Sequence, residues 1–209
     1  MKTEKAGKLK WVEIAALLLL AAFLTTGALA LQTEQELSDK VVRLHVLANS
    51  DSEEDQALKR KVRDRILAYT EPLLEGAPSR LEAEGLLRGQ LLELERIAGE
   101  EIAANGYDYA VSVRLEDTMF PTREYEGFTL PAGKYLALRV VIGEGAGQNW
   151  WCVVFPPLCA AASAEVPQEA LAAGLTSSQV GLITEENTGY VLKSKLIEFW
   201  GELQAKLES

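Results

Sequence analysis

Few residues of this 209-residue chain could carry chemistry on their own: one histidine, two cysteines, a glycine-rich turn and an abundance of carboxylates. His45 lies in the apolar run Val41-Val42-Arg43-Leu44-His45-Val46-Leu47. An imidazole is the usual general base near neutral pH. Nucleophilic catalysis would need a serine or cysteine set against it, and neither a GxSxG elbow nor a paired Ser/Asp pattern accompanies His45. It reads as a structural or surface histidine at an outward or boundary position. Cys152 and Cys159, with a single histidine, are too few to ligate a structural zinc. Outside a reducing cytoplasm an even pair favours a disulfide, the other reading being two buried thiols. A loop so short would stabilise by roughly 2–3 kcal/mol. Gly143-Glu144-Gly145-Ala146-Gly147 has the glycine content of a phosphate cradle. It carries a glutamate and lacks the following Lys-Ser/Thr, so a flexible hairpin loop is expected. The 31 Asp and Glu side chains make any one catalytic pair arbitrary. No catalytic residue, metal ligand set or cofactor is assigned.

Charge narrows the partners. Residues 1–30 hold four lysines and two glutamates, so the remainder carries 17 basic and 29 acidic side chains of the 21 and 31 in the whole chain. So acidic a surface repels phosphate backbones, and no nucleic-acid partner is expected. A protein partner suits it better.

The N-terminus gives the chain an address. Lys2, Lys5, Lys8 and Lys10 precede a stretch from Ile14 to Leu31 without a charged residue, ending in Ala28-Leu29-Ala30, a small-residue pattern suited to signal peptidase. The run is also long enough to span a bilayer. Residues 1–31 are therefore a signal peptide cleaved after Ala30, the preferred reading, or an uncleaved membrane anchor. Either way the lysines stay inside and the rest of the chain crosses. Residues 32–40 form a polar linker, and 41–209 a single extracytoplasmic domain.

Positioning elements follow from periodicity. Residues 41–47 predict a strand with Val42, Leu44 and Val46 on one face. Ser50 with Glu53, or Ser52 with Asp55, can cap a helix that runs to about Tyr69 on a buried stripe of Leu58, Val62, Ile66 and Tyr69. Ser79 with Glu82 caps a second helix, with Leu87, Leu91, Leu94, Ala98 and Ile102 on one side and Asn105-Gly106 as its stop. Tyr107 to Glu116 alternates as a half-buried strand. Phe120–Phe128 and Lys134–Ile142 read as strands, Trp150–Phe155 as a short one, and Tyr190–Leu207 as a closing helix. Adjacent Trp150 and Trp151 point oppositely if the segment is a strand, so one can remain at the surface as a contact point, although a core role for both is preferred. The order predicts an α+β fold: a mainly antiparallel sheet with helices packed on one face, preceded by the N-terminal signal or anchor helix.

Three blocks then carry a resemblance. They are Arg43-Leu44-His45-Val46-Leu47-Ala48-Asn49-Ser50-Asp51-Ser52 with Asp55-Gln56-Ala57-Leu58-Lys59; Phe120-Pro121-Thr122-Arg123-Glu124-Tyr125 with Leu130-Pro131-Ala132-Gly133; and Arg139 to Gly145 continuing through Gly147-Gln148-Asn149-Trp150-Trp151-Cys152 to Cys159. In that order they resemble the stage II sporulation protein R family over about residues 41–160. The resemblance implies a non-enzymatic signalling protein. It would be exported from the forespore into the space between forespore and mother cell, secreted or membrane-tethered. There it would activate a membrane-embedded aspartic protease that processes the pro-form of the early mother-cell sigma factor. Within the matching blocks, Asn49, Asp51, Arg123, Glu124, Asn149 and Trp151 are the candidate contacts to that protease, against a purely local role in capping and turn geometry. An exported hydrolase acting on the cell wall is the alternative from another class.

Overall fold

The computed structural model describes residues 35–159 and 165–184, together with Ile14, Leu17 and Leu18. The chain divides into two units, Met1–Glu36 and Leu37–Ser209. In the first unit Ile14, Leu17 and Leu18 are helical and exposed. The rest of the expected signal or anchor segment, its Ala28–Ala30 pattern and the expected closing helix lie outside the described residues. Among the described residues, no helix is long and apolar enough to cross a membrane.

The second unit is α+β. In chain order its elements are β1 (Val42–Leu47), α1 (Glu53–Leu74), α2 (Arg80–Gly89), α3 (Leu91–Ala104), β2 (Val111–Phe120), β3 (Arg123–Tyr125), β4 (Phe128–Leu130), β5 (Gly133–Ile142), β6 (Asn149–Phe155), α4 (Val166–Ala172) and α5 (Ser177–Thr184). Four strands form one sheet in the order β2-β5-β1-β6, and β3 and β4 form a separate two-stranded sheet. The sheet is mixed. β2 pairs antiparallel with β5 and β6 with β1, while the central pair, β1 and β5, runs parallel.

The period-2 pattern determines which side chains meet which layer. Val42, Leu44 and Val46, as expected, join Leu136, Leu138 and Val140 in a core against α1 and α3. The other face is covered too, by the β3–β4 hairpin, α4 and α5, around Phe120, Phe128, Leu130, Tyr135, Val153 and Val166. Helices therefore lie on both faces of the sheet, with the three longer ones together on one. The linker is anchored at its end: Leu37 is buried in this second core, and Lys40 Nζ donates to the Gly174 carbonyl at 2.7 Å.

Several boundaries differ from expectation. Of the two expected caps of α1, Ser52 is the one used, accepting from the Asp55 N–H at 3.2 Å, but α1 runs past the expected end near Tyr69 to Leu74, with Pro72 in its last turn. The second expected helix is two, α2 and α3, broken at Gln90. Gly89 weakens the helix there, and the Gln90 side chain is held from outside by the Tyr69 hydroxyl at 2.7 Å. The expected strand from Phe120 to Phe128 is the end of β2 followed by the β3–β4 hairpin, which turns at Gly127 with φ +85°. The 143–147 segment is not a hairpin loop, because β5 and β6 are not neighbours: it carries the chain across the end of β1.

Candidate functional site

The second face of the sheet holds an unusual set of polar groups. In β1 the alternation that sends Val42 and Leu44 into the first core sends Arg43 and His45 to the opposite face. Arg43 is fully buried there. Its guanidinium carbon lies 4.0 Å from the Phe120 ring centroid and 4.9 Å from that of Tyr135. Nη2 donates to the Tyr125 hydroxyl at 2.5 Å. Nε and Nη1 are buried without a hydrogen-bond partner among the described residues. No carboxylate is among the groups that shift its titration: burial lowers the guanidinium pKa, opposed by Tyr125 and Tyr135, while Arg123 adds to the lowering.

His45 is a structural histidine. It is buried, its Nε2 lies 2.7 Å from Asn149 Oδ1, and its ring stands 5.9 Å from those of Phe120 and Trp151. Burial pushes its pKa below the ordinary value. The Asn149 hydrogen bond opposes that, and the charges of Arg139 and Arg43 add to it. No serine or carboxylate is hydrogen-bonded to it among the described residues.

Above this buried layer a groove of about 390 Å³ opens between the β3–β4 hairpin and β6, lined among others by Arg123, Glu124, Tyr125, Asn149 and Trp151. Arg123 stacks on Trp151, guanidinium carbon to ring centroid 3.8 Å, and the Trp151 indole N–H is buried without a described partner. Tyr125 stacks on Phe128 at 4.6 Å. Cys152 and Cys159 form a disulfide, and both line the groove. Trp150 also borders the groove; it is 36% exposed, with Arg63 of α1 4.1 Å from its ring, and is the more exposed of the two tryptophans.

Four of the six candidate contacts, Arg123, Glu124, Asn149 and Trp151, therefore line one groove. Asn49 and Asp51 belong to a different cluster at the end of β1, where they tie two loops together. Asn49 Nδ2 donates to Asp55 Oδ2 at 2.9 Å, and its Oδ1 accepts from the Glu144 N–H at 3.0 Å. Asp51 Oδ1 accepts from the Gln148 N–H at 2.6 Å. Ser50 Oγ also donates to Asp55 Oδ2, at 2.6 Å, and these bonds hold the Asp55 carboxyl below the usual range.

Sequence reasoning missed Arg43 and Tyr125 as members of the site. An arginine between Val42 and Leu44 reads as the solvent side of a half-buried strand. The one available signal was the aromatic density of Phe120, Tyr125, Phe128 and Tyr135, more than a solvated face requires.

Comparison with known proteins adds a family. A family model described as Stage II sporulation protein R matches residues 38–165, the segment from just before β1 to just past β6. A curated protein of Bacillus subtilis (strain 168), named Stage II sporulation protein R, is 41% identical over 123 residues, which cover 59% of this chain and 55% of that protein. The match thus spans little more than half the length of that relative. No solved structure matches.

Proposed function

The chain belongs to the stage II sporulation protein R family, and from that premise we propose that it is an exported activating ligand of the sporulation programme. It is made in the forespore, crosses into the space between the two membranes, and binds the exposed part of a membrane-embedded aspartic protease on the mother-cell side. The protease then removes the pro-sequence of the early mother-cell sigma factor. The match across the whole β1–β6 segment is the observation that carries the proposal. The basic and apolar N-terminus supports export.

An activating ligand must bind the active state of its receptor more tightly than the inactive one. The groove between β6 and the β3–β4 hairpin offers chemistry suited to such a contact: an arginine stacked on a tryptophan, at the rim of a concave surface. Arginine and tryptophan are the side chains on which interfaces concentrate their energy. The reading is tested by co-expressing the full chain, the protease and the pro-sigma factor in a host that does not sporulate. Processing that depends on the chain supports it. Equal processing without the chain overturns it.

A further inference from the structure

We infer that the groove over Arg43 receives a carboxylate, presented by an extended acidic segment of the partner polypeptide. The inference rests on reading the chain as a protein ligand, and it names the chemistry of the contact. Arg43 is a full positive charge, 0% exposed, with two guanidinium nitrogens unpartnered and no carboxylate in hydrogen-bond contact among the described residues. An uncompensated buried charge is among the costlier features a fold can carry, and a nearby anion relieves it. Aromatic rings at 4.0 and 4.9 Å give partial compensation only.

The way in runs through Tyr125. Its hydroxyl binds Arg43 at 2.5 Å, and its side chain lines the groove above. It belongs to the separate β3–β4 hairpin, outside the ladder of the main sheet, so it can be displaced without breaking that ladder. The charge around it is mixed. Arg123 lies at the groove, while on the same sheet face Arg139 stands opposite Arg114 in the β2–β5 register. Glu116, bonded to Arg139 at 3.1 Å, offsets part of this, and Glu124 and Glu126 bring negative charge to the rim. On a domain otherwise acidic, the selecting charge is the buried Arg43, which has no carboxylate in hydrogen-bond contact among the described residues and lies under a rim that carries Arg123.

A polypeptide rather than a small acid fits the setting. The groove follows β6, the terminal strand of the sheet, which has no further strand beside it among the described residues. Strand edges of this kind take extended segments, with side-chain pockets supplying selectivity. A planar guanidinium binds a carboxylate through two parallel N–H donors, and once the Tyr125 hydroxyl leaves Nη2, that nitrogen forms such a fork with the free Nε on one edge or the free Nη1 at the end.

The test uses the full chain and two capped peptides, glutamate alternating with valine and glutamine alternating with valine, followed by tryptophan fluorescence and thermal melting. Succinate serves as the free carboxylate. The glutamate peptide is expected to bind at least ten-fold more tightly than the glutamine peptide and to raise the melting temperature. Arg43→Met should abolish that preference while melting at or above the temperature of the native chain. Arg43→Lys, which keeps the charge and loses the planar fork, should retain a weaker preference. Equal binding of the two peptides overturns the inference, as does an unchanged preference in Arg43→Met. A lowered melting temperature in Arg43→Met would mark a merely structural arginine and also overturn it. Succinate binding as tightly as the glutamate peptide would exclude the polypeptide occupant. If the native chain triggers processing yet shows no glutamate preference, the groove inference alone fails. If it shows the preference yet never triggers processing, the signalling reading alone fails.

Discussion

Asn49 and Gly143 stand so close that a Cβ on residue 143 would lie 2.2 Å from Asn49 Oδ1. The β1–α1 loop and the β5–β6 connection are locked at this point. The Ala146 and Gly147 N–H groups donate to the Asn49 and Ala48 carbonyls, and a Cβ on Gly147 would meet the Ser50 carbonyl oxygen at 2.1 Å. Gly147→Ala should destabilise the fold by about 3 kcal/mol, since backbone on both sides must move. Gly143→Ala also suffers from its φ of +57°. Because part of its clash is with a side chain, its cost should be smaller in an Asn49→Ala background than in the native chain. Chemical denaturation of the two single variants and the double variant checks this coupling.

Stability should depend on pH through His45. Burial, opposed by the Asn149 bond and reinforced by Arg139 and Arg43, holds its folded pKa below the ordinary 6.5. The unfolded chain therefore takes up a proton before the folded one does as pH falls. The stability from neutral His45 is fully present above pH 6.5 and is lost progressively as pH drops through the lower, folded value. Asp55, also depressed, acts in the same direction in a more acidic window, below its ordinary 3.8. Denaturation midpoints between pH 5 and pH 8 should fall toward the acid end, and His45→Gln should flatten that slope.

The disulfide between Cys152 and Cys159 closes a short loop, with a sequence separation of 7. Its removal by Cys152→Ala with Cys159→Ala should cost about 2.5 kcal/mol on loop-closure grounds. The Val153 N–H, which donates to Cys159 Sγ at 3.2 Å, loses that acceptor as well. Melting under reducing and oxidising conditions should separate native chain from the double variant, and only the native chain should respond to the reductant.

Arg123 separates a contact role from a structural one. Its stacking on Trp151 takes place at an exposed position, so Arg123→Gln should alter stability by less than about 1 kcal/mol. Processing of the pro-sigma factor should nevertheless fall several-fold. Asn49→Ala should behave differently. It breaks bonds to Asp55 and Glu144 and should cost about 2 kcal/mol, with processing lost only as folded protein is lost. Processing and melting measured on the same preparations tell the two apart.

Much of this was legible because it is local. Capping by Ser52 and Ser79, the alternation of Val42, Leu44 and Val46, and the alternation from Tyr107 to Leu115 all express periodicities written within a few residues. The pairing of β1 with β5 was not legible. It joins Arg43 to Ala137 and Val46 to Val140 across most of the domain, and nothing in either strand encodes its neighbour. The second layer was hidden for another reason. The helices α4 and α5 are short and lie in or beside an alanine-rich stretch whose composition fixes no face. Without that layer Arg43 reads as exposed, and so its burial beneath the groove escaped notice, while Arg123, Asn149 and Trp151, which line that groove, were singled out on other grounds.

Export is the central claim, and its most direct measurement is processing of the pro-sigma factor in cells holding the protease and either the full chain or a chain lacking residues 1–31. The full chain should drive processing, and the truncated chain, equally abundant and folded but kept inside, should not. Equal processing by the two would contradict the account, because crossing the membrane would then play no part in the signal.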